Sequence, residues 1–414
     1  MKAVVFTLGC KVNESESEGL IAGLIEKGYE VSDRLEYADL YIVNTCAVTK
    51  EAEKKSRQMA SRITKLNPNA KIIFTGCATQ KGATAFLGKK NVSLVTGTFS
   101  KDKILENIDF VGEKIYDMPT EFEEMPPIKT LKTRAFIKVQ DGCNNFCSYC
   151  IIPYLRGRTR SRNPENIIKE IKATNPVEVI LNGINLSAYN YNGLNLAGLV
   201  NLLKDFDCRI RLGSLEVNVI TEELLTALKG LKNFAKHFHL SLQAGSNKVL
   251  KDMNRHYSRE QFIEKVNLIR SYFPSAGITT DIIVGYPTET EEDFNLTLDL
   301  IEKVEFSDIH PFIFSPREGT KAYKLKDLDY AIKKARLDIL LEKKAKCKEE
   351  FILGQLNKEE YFIFEESKNG YKQGYSGNYI RLYIREEDFL GNGNVVLVKP
   401  YEDGANIEYK GGEN

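Results

Sequence analysis

The sequence predicts an α/β protein built from three successive domains, as three observations indicate. Across the first hundred residues, short apolar strand patterns alternate with helix patterns, which is typical of a parallel sheet with helical crossovers. Six more strand and helix pairs follow, fewer than the eight of a closed barrel, and predict an incomplete (βα)6 barrel. The last 59 residues carry short strand patterns with Gly and Asn between them, which predict a small antiparallel β-barrel.

Composition favours a globular protein and argues against membrane and secreted classes. Lys and Arg total 58 against 57 Asp and Glu, so the overall charge does not indicate a polyanionic partner. The eight cysteines are spread too widely for a small disulfide scaffold. No stretch approaches the roughly 20 apolar residues of a membrane span. We therefore expect a cytoplasmic protein with reduced thiols and no membrane contact.

Changes in composition set the expected domain boundaries. The stretch MPTEFEEMPP, rich in proline and acidic residues, predicts a linker between the first two domains. A polar helix from about Lys50 to Leu66 lies within the first domain. The predicted ranges are an N-terminal domain at 1–112, a linker at 113–128, a central domain at 129–355 and a β domain at 356–414.

Three cysteines each close a predicted strand of the N-terminal domain. Cys10 ends TLGC, Cys46 ends VNTC and Cys77 ends TGC. The carboxyl ends of strands in an open α/β sheet form its ligand crevice, so three thiols distant in sequence are expected to converge there. A free cysteine is also common as a small buried apolar residue, but three of three at strand ends favour a shared ligand site.

A second trio lies in the loop that follows the first strand of the central domain. The segment DGCNNFCSYCIIP holds Cys143, Cys147 and Cys150 with the spacing C-x3-C-x2-C. A structural zinc site takes four ligands, and the four histidines of the chain are all distant in sequence, so zinc is poorly supported. An iron–sulfur cluster held by three thiolates leaves one iron open to a small molecule.

Several motifs resemble those of radical S-adenosylmethionine (SAM) methylthiotransferases. They are TLGCKVN, IVNTCAVT, FTGC, DGCNNFCSYCIIPYLRGRTRSR, TTDIIVGYPTET and FSPREGT. The resemblance covers nearly the full length, and the last segment is similar to the TRAM domain that ends these enzymes. It implies an N-terminal methylthiotransferase domain, a radical SAM core and a TRAM-like β domain.

The residues after the first cysteine bear on the substrate. Lys-Val-Asn at 11–13 resembles the branch that acts on N6-threonylcarbamoyladenosine (t6A) in tRNA. The isopentenyladenosine branch usually has glutamine and methionine there, and the ribosomal-protein branch has proline and lysine. Glu-Ser-Glu at 14–16 departs slightly from the more frequent glutamine and tyrosine. The resemblance implies addition of a methylthio group to C2 of t6A, next to the anticodon.

The resemblance also implies two [4Fe-4S] clusters with separate roles. The central-loop cysteines would hold the cluster that cleaves SAM reductively, and the strand-end cysteines an auxiliary cluster that carries the transferred sulfur. A second SAM would supply the methyl group. Candidate contacts to SAM are an aromatic residue of the loop and three strand-end residues, namely Tyr149, Ser214, Glu216 and Gln243. Polar residues at strand ends are also typical of turns.

Local basic segments predict an RNA interface. The segment LRGRTRSR places four arginines at alternate positions, on one side of an extended chain. They are Arg156, Arg158, Arg160 and Arg162. Residues 50–65 add six basic residues against two acidic ones, although both segments also fit a solvated surface. Residues 356–414 carry seven Lys or Arg against eleven Asp or Glu, so RNA contact by this domain rests on the resemblance.

Alternatives to this function stay open from the sequence. An enzyme acting on isopentenyladenosine in tRNA or on a ribosomal-protein side chain would keep both clusters. A non-enzymatic iron–sulfur cluster carrier would explain the cysteines but not six strands with polar ends. Cys208 and Cys347 lack partners at ligand spacing and are interpreted as structural. Expected partners are tRNA and, from the family alone, a small flavodoxin or ferredoxin; the sulfur donor is not indicated, and we expect a monomer.

Overall fold

A computed structural model describes residues 1–126 and 133–410 of the chain. It confirms the predicted architecture: a parallel N-terminal sheet, an open central (βα)6 unit and a closed C-terminal β-barrel. The expected boundary between linker and central domain, at 128 and 129, lies outside the described residues.

The N-terminal domain is a six-stranded parallel sheet covered by helices on both faces. Its strands are β1 (Lys2–Thr7), β2 (Glu30–Ser32), β3 (Leu40–Thr45), β4 (Lys71–Gly76), β5 (Val92–Thr96) and β6 (Gly112–Lys114). Its helices are α1 (Lys11–Glu26), α2 (Lys50–Leu66), α3 (Cys77–Lys81) and α4 (Thr84–Leu87). The strand order is β2-β1-β3-β4-β5-β6, so β1, β3 and β4 lie side by side and end at the same edge.

The N-terminal sheet extends slightly into the segment predicted to be a linker. Strand β6 pairs in parallel with β5 and reaches Lys114, beyond the expected end of the domain at 112. The residues that follow also contact both domains: Glu123 accepts a hydrogen bond from the backbone of Ser100, and Glu124 pairs with Arg162 at 2.6 Å. This part of the predicted linker is therefore packed against both domains.

The central domain contains the six predicted parallel strands, one of them split in two, together with three short antiparallel strands and the intervening helices. The strands are β7 (Arg134–Asp141), β8 (Arg160–Ser161), β9 (Glu178–Gly183), β10 (Asn190–Tyr191), β11 (Leu194–Asn195), β12 (Arg209–Leu212), β13 (Ser214–Leu215), β14 (His237–Leu240), β15 (Gly277–Val284) and β16 (Asp308–Ile313). The helices are α5 (Ile152–Arg156), α6 (Pro164–Thr174), α7 (Leu196–Asn201), α8 (Glu222–Lys229), α9 (Asn247–Asp252), α10 (Arg259–Tyr272), α11 (Glu291–Val304) and α12 (Tyr330–Leu353).

Two sheets form the open wall of this domain. Their orders are β12-β9-β7-β8 and β13-β14-β15-β16, and they meet at Gly213, between β12 and β13. The predicted strand RIRLGSL is thus split in two. Side chains alternate along each strand, so that the apolar ones pack against the helices while polar ones line the inner face, among them Lys138, Arg211 and His239.

The C-terminal domain is a closed five-stranded barrel of order β17-β18-β19-β21-β20. The strands are β17 (Glu359–Lys368), β18 (Tyr371–Tyr375), β19 (Arg381–Arg385), β20 (Gly393–Tyr401) and β21 (Gly404–Tyr409). One strand pair departs from the antiparallel expectation, because β19 and β21 run parallel. That arrangement brings β21 back between β19 and β20 and closes the barrel.

The other two domains dock on the inner face and the amino ends of the central strands. Helix α1 packs on β7 and β9, where Glu16 pairs with Lys138 at 2.9 Å. The C-terminal barrel lies at the amino ends, where Arg209 of β12 donates to the carbonyls of Tyr361 and Tyr375. The carboxyl ends of the strands, which carry the cysteine loop, are left for the site.

Candidate active site

One cavity of about 520 Å³ lies where the three domains meet. All six cysteines of the two predicted trios contribute to its wall. Strand-end residues of the central domain and Tyr379 of the C-terminal barrel complete it. The fold therefore brings Cys10, Cys46 and Cys77 together, as their strand-end positions predicted, and the loop trio lines the same cavity.

Three neighbouring strands hold the strand-end trio. Cys10 follows β1, Cys46 follows β3 and Cys77 begins α3 directly after β4. Gly9 has a φ of +106°, and a Cβ atom there would lie 2.9 Å from the sulfur of Cys46. Because only glycine fits so close an approach, the loop before Cys10 can pack directly against Cys46.

Backbone hydrogen bonds fix the loop of the second trio. The amide of Cys143 donates to the carbonyl of Gly157 and that of Ser148 to Met253, each at 3.0 Å. The loop is thereby tied to the turn after α5 and to the end of α9. It stands at the carboxyl end of β7, the side on which barrel enzymes place their chemistry.

The thiols of each trio lie close enough to affect one another. Burial raises the pKa of Cys46 to about 12, and the two other thiols of its trio raise it as well. Burial also raises the pKa of Cys150 to about 12, with further contributions from its two neighbours in the loop. All eight cysteines are free. Such enclosed thiols become thiolates at neutral pH when a cationic centre binds them.

The arrangement fits clusters better than single metal ions. Among residues 1–126 and 133–410, no three His, Cys, Asp or Glu side chains are close enough to share one metal ion. In an iron–sulfur cluster each thiolate binds a different iron, so the sulfurs stand farther apart. Cys208 and Cys347 pack against the core of the central domain, away from the cavity.

Two arginines contact sulfur atoms of the trios. Arg156 Nε donates to Cys77 Sγ and Arg255 Nη1 to Cys147 Sγ, both at 3.4 Å. Arg255 also pairs with Glu216 at 3.0 Å. Hydrogen bonds to the sulfurs are among the factors that set cluster potentials. The sequence analysis missed Arg255 and assigned Arg156 to RNA, because nothing in sequence links either residue to a cysteine more than seventy positions away.

The four predicted SAM contacts all line the cavity, namely Tyr149, Ser214, Glu216 and Gln243. Burial raises the pKa of Tyr149 well above its usual value, so its hydroxyl stays protonated. Glu216 is held by Arg255 and by the amide of Asn145. Gln243 has a φ of +70°, a conformation that is uncommon for a residue with a side chain and is typical of functional sites.

A group of polar side chains that the sequence analysis did not assign also lines the cavity. His237 stacks on Tyr379 with ring centroids 4.5 Å apart. The hydroxyl of Thr279 lies 2.8 Å from His237 Nε2 and 2.9 Å from His239 Nδ1. His239 also contacts Asp281 at 3.3 Å. Because Tyr379 comes from the C-terminal barrel, the third domain forms part of the cavity wall.

The prediction that four arginines contact RNA is wrong for three of them, which are buried. They are Arg156, Arg160 and Arg162. Each pairs with a carboxylate; Arg156 binds Glu16 at 2.7 Å and Arg162 binds Glu124 at 2.6 Å. Helix α5 ends at Arg156 and directs that side chain inward. Strand β8 is extended as predicted, but it pairs with β7, so that Arg160 and Arg162 face the carboxylates of Asp141 and Glu170.

Other basic residues beside the two cysteine trios are exposed, unlike the three buried arginines. Arg158 is exposed, and its guanidinium lies 4.5 Å from the ring centroid of Phe146 in the cysteine loop. Helix α2, which begins four residues after Cys46, exposes Lys50, Lys54 and Lys55. Positive charge accessible to a phosphate backbone is therefore present beside both trios.

Comparison with known proteins identifies the family. The Radical SAM superfamily profile matches residues 137–301, and that of Uncharacterized protein family UPF0004 matches residues 2–97. The threonylcarbamoyladenosine tRNA methylthiotransferase MtaB of Bacillus subtilis is 36% identical, over 98% of this chain and 96% of the relative. The chain belongs to the radical SAM tRNA methylthiotransferase family. Membership implies a [4Fe-4S] cluster and SAM.

Other relatives of this methylthiotransferase have names that specify a different modified adenosine as the substrate. The tRNA-2-methylthio-N(6)-dimethylallyladenosine synthase of Thermoanaerobacter sp. is 40% identical, over 81% of this chain and 76% of the relative. Both names describe methylthio transfer to tRNA. The methylthiotransferase therefore acts on tRNA by radical SAM chemistry.

Solved structures support the fold of the methylthiotransferase. The radical SAM methyltransferase TsrM of Kitasatospora setae, with cobalamin and a [4Fe-4S] cluster bound, superposes with a TM-score of 0.52 at 13% identity. The match covers 75% of this chain and 72% of that chain. In the described part of the methylthiotransferase, no helix is both long and apolar enough to cross a membrane.

Proposed function

We propose that this methylthiotransferase converts t6A to 2-methylthio-t6A next to the anticodon of tRNA, with two [4Fe-4S] clusters and SAM. The observation that carries the proposal is the convergence of six thiols from two domains on one cavity. Its volume of about 520 Å³ lies within the usual range of small-molecule sites. A cavity shared by two cysteine trios suits a reaction in which one base meets both cofactor centres.

Each trio has its own role in the proposal. Cys143, Cys147 and Cys150 hold the cluster that binds SAM, and the strand-end cysteines hold the auxiliary cluster. When bound, these groups supply the radical chemistry that an unactivated C–H bond requires, together with the sulfur and the methyl group. The protein supplies enclosure and positive charge, because Arg255 and Arg156 donate to one sulfur in each trio.

The predicted SAM contacts have the chemistry for their role. Glu216 presents a carboxylate whose position is fixed by Arg255, and such a group accepts from an amino group or a ribose hydroxyl. Ser214 adds an exposed hydroxyl, and Tyr149 an aromatic face beside the cysteines. We infer that SAM lies along this wall.

Two observations favour t6A over isopentenyladenosine. The relative named for t6A aligns over nearly the whole of both chains, whereas the one named for the dimethylallyl substrate aligns over 76% of its length. The Lys-Val-Asn motif at 11–13 resembles the t6A branch. A tRNA substrate also favours a cytoplasmic enzyme. From the family alone, we propose that a small protein such as flavodoxin or ferredoxin supplies the electrons.

The first experiment tests the substrate in the native host. The gene is deleted, total tRNA is hydrolysed, and the methylthio forms of t6A and isopentenyladenosine are measured by mass spectrometry. We expect loss of 2-methylthio-t6A alone, restored by the wild-type gene. Loss of the isopentenyl form instead would transfer the proposal to that substrate. If both persisted in a strain without a related enzyme, tRNA modification by this protein would be excluded.

A second experiment tests the two clusters separately. The variants Cys46→Ser and Cys147→Ser are each purified anaerobically after reconstitution, and iron per chain and SAM cleavage are measured. We expect each variant to lose about half of the iron, but only Cys147→Ser to lose SAM cleavage. Cys208→Ser is the matched control and retains full iron. Equal loss of SAM cleavage in both variants would contradict the division of roles.

A further inference from the structure

Lys11 is the one lysine or arginine on the described cavity wall that has no ion pair. The other two have carboxylate partners: Arg156 binds Glu16 and Arg255 binds Glu216. Lys11 lies at the start of α1, directly after Cys10. Its ammonium lies 6.0 Å from the ring centroid of Tyr379, and no carboxylate of the described chain is within ion-pair distance of it.

Further positive charge lies close to Lys11. Arg211 lies 4.8 Å from the ring centroid of Tyr379, the same ring that Lys11 approaches. Arg211 shares its only carboxylate partner in the described chain, Glu178, with Arg209. Two guanidinium groups are thus balanced by one carboxylate. This end of the cavity has an excess of positive charge that an anionic ligand would neutralise.

Two further polar atoms in the same region lack hydrogen-bond partners. They are Asn182 Oδ1 and His237 Nδ1, both buried in residues that line the cavity. Buried polar atoms of native proteins are nearly always satisfied, by protein, water or ligand. Together with Lys11 they offer one cation, one hydrogen-bond acceptor and one imidazole nitrogen to a bound molecule.

We propose that Lys11 binds the carboxylate of the threonylcarbamoyl group, and that Asn182 and His237 bind its other polar atoms. This inference rests on the proposed function and names the residues that would select t6A. The threonylcarbamoyl group presents a carboxylate, a hydroxyl and ureido N–H donors, which match the unpartnered groups. A dimethylallyl chain is a hydrocarbon and would leave all three without partners, at a large cost in affinity.

The position of Lys11 also orients the base. The N6 substituent and C2 flank N1 on one edge of adenine, so an anchor for the substituent determines where C2 lies. Lys11 adjoins Cys10 in the chain, and Asn182 donates to the Lys11 carbonyl at 3.4 Å. A carboxylate held by Lys11 therefore keeps the reacting carbon near the strand-end trio that would carry the sulfur.

A double-mutant cycle tests the contact. Anticodon hairpins are prepared with t6A, with the uncharged threonine amide of t6A, and with unmodified adenosine. Fluorescence anisotropy measures their affinity for cluster-loaded protein without reductant. We expect the wild type to bind the t6A hairpin roughly 10- to 100-fold more tightly than the amide. Lys11→Met should bind the two alike, whereas Lys27→Met, at the exposed end of the same helix, should match the wild type.

Each other outcome has a defined meaning. A Lys11→Met variant that keeps the preference for t6A would overturn the inference. Loss of SAM affinity with that preference intact would assign Lys11 to the SAM carboxylate instead and also overturn it. If the wild type shows no preference and forms no 2-methylthio-t6A, the proposed function itself fails. Iron content and thermal stability exclude misfolding, and Lys11→Gln gives the same test if Lys11→Met does not fold.

Discussion

Arg156 of the central domain donates a hydrogen bond from Nε to the sulfur of Cys77 in the N-terminal domain, at 3.4 Å. Its terminal nitrogens bind Glu16 at 2.7 Å and Asn13 at 2.8 Å, both in helix α1. The side chain is fully buried. One arginine therefore joins the two domains and contacts the strand-end trio.

We expect Arg156→Met to destabilise the protein and reduce cluster loading. A buried carboxylate that loses a partner costs about 3 kcal/mol or more, although Glu16 keeps Lys101 and Lys138. Urea denaturation and iron per chain measure the two effects. Arg158→Met removes an exposed arginine two residues away and serves as the control. An Arg156→Met variant with wild-type stability would show that the buried pair contributes nothing to domain docking.

Glu178 should make stability fall in acid. Burial raises its pKa, but Arg211 and Arg209 outweigh burial and lower the pKa to about 2, from an ordinary value of 4.5. The contribution of the carboxylate is therefore complete above about pH 4.5 and is lost as the pH falls through about 2. We expect Glu178→Gln to be less stable at neutral pH and to lose less further stability on acidification.

Urea denaturation at a series of pH values measures this difference. Glu26→Gln changes an exposed carboxylate in α1 and should leave the pH profile of the wild type unchanged. Parallel profiles for Glu178→Gln and the wild type would mean that the pKa of Glu178 is not depressed in the folded state.

Replacing Arg158 should weaken RNA binding, whereas replacing Arg162 should lower the stability of the protein. Arg158 is exposed beside the cysteine loop, so Arg158→Ala should weaken hairpin binding and lower the salt slope by about 1, with stability unchanged. Arg162 is buried against Glu170 and Glu124, so Arg162→Ala should lose about 3 kcal/mol of stability. Anisotropy titrations at several salt concentrations and thermal unfolding separate the two. Equal salt slopes for Arg158→Ala and the wild type would remove Arg158 from the RNA interface.

Tyr379 should couple the C-terminal barrel to the central domain. Its ring stacks on His237 and packs against Arg211, so Tyr379→Ala removes both contacts and should cost about 1 to 2 kcal/mol of unfolding free energy. Tyr379→Phe keeps the ring and should lose far less. The exposed Tyr330→Ala is the control, and calorimetry is the measurement. An unchanged transition in Tyr379→Ala would mean that the barrel folds independently of this contact.

The order of the domains and the positions of the cysteines were predictable because both follow from short-range pattern. Strand and helix periods are visible in local sequence, and a cysteine at the end of a buried parallel strand has only one edge of the sheet to occupy. In agreement with that rule, Cys10, Cys46 and Cys77 line the same cavity wall.

The side chains around the cysteines were not predictable, because they arrive through docking of distant segments. Arg255 lies 108 positions from Cys147, and Tyr379 enters from a barrel whose docking no local pattern indicates. The prediction that all four arginines contact RNA failed for a related reason. Alternate spacing indicates that side chains share one side of a strand, but not whether that side is exposed. Pairing of β8 with β7 directs Arg160 and Arg162 toward buried carboxylates.

The shared cavity wall also limits how such an enzyme can change its substrate. Lys11, Asn182 and Tyr379 belong to three domains, yet they line one space. A chimera that exchanges a single domain with a relative of different preference would combine wall segments adapted to different bases. New specificity therefore requires matched substitutions across all three domains, and recombination between relatives should produce folded proteins with poor turnover more often than enzymes with exchanged preference.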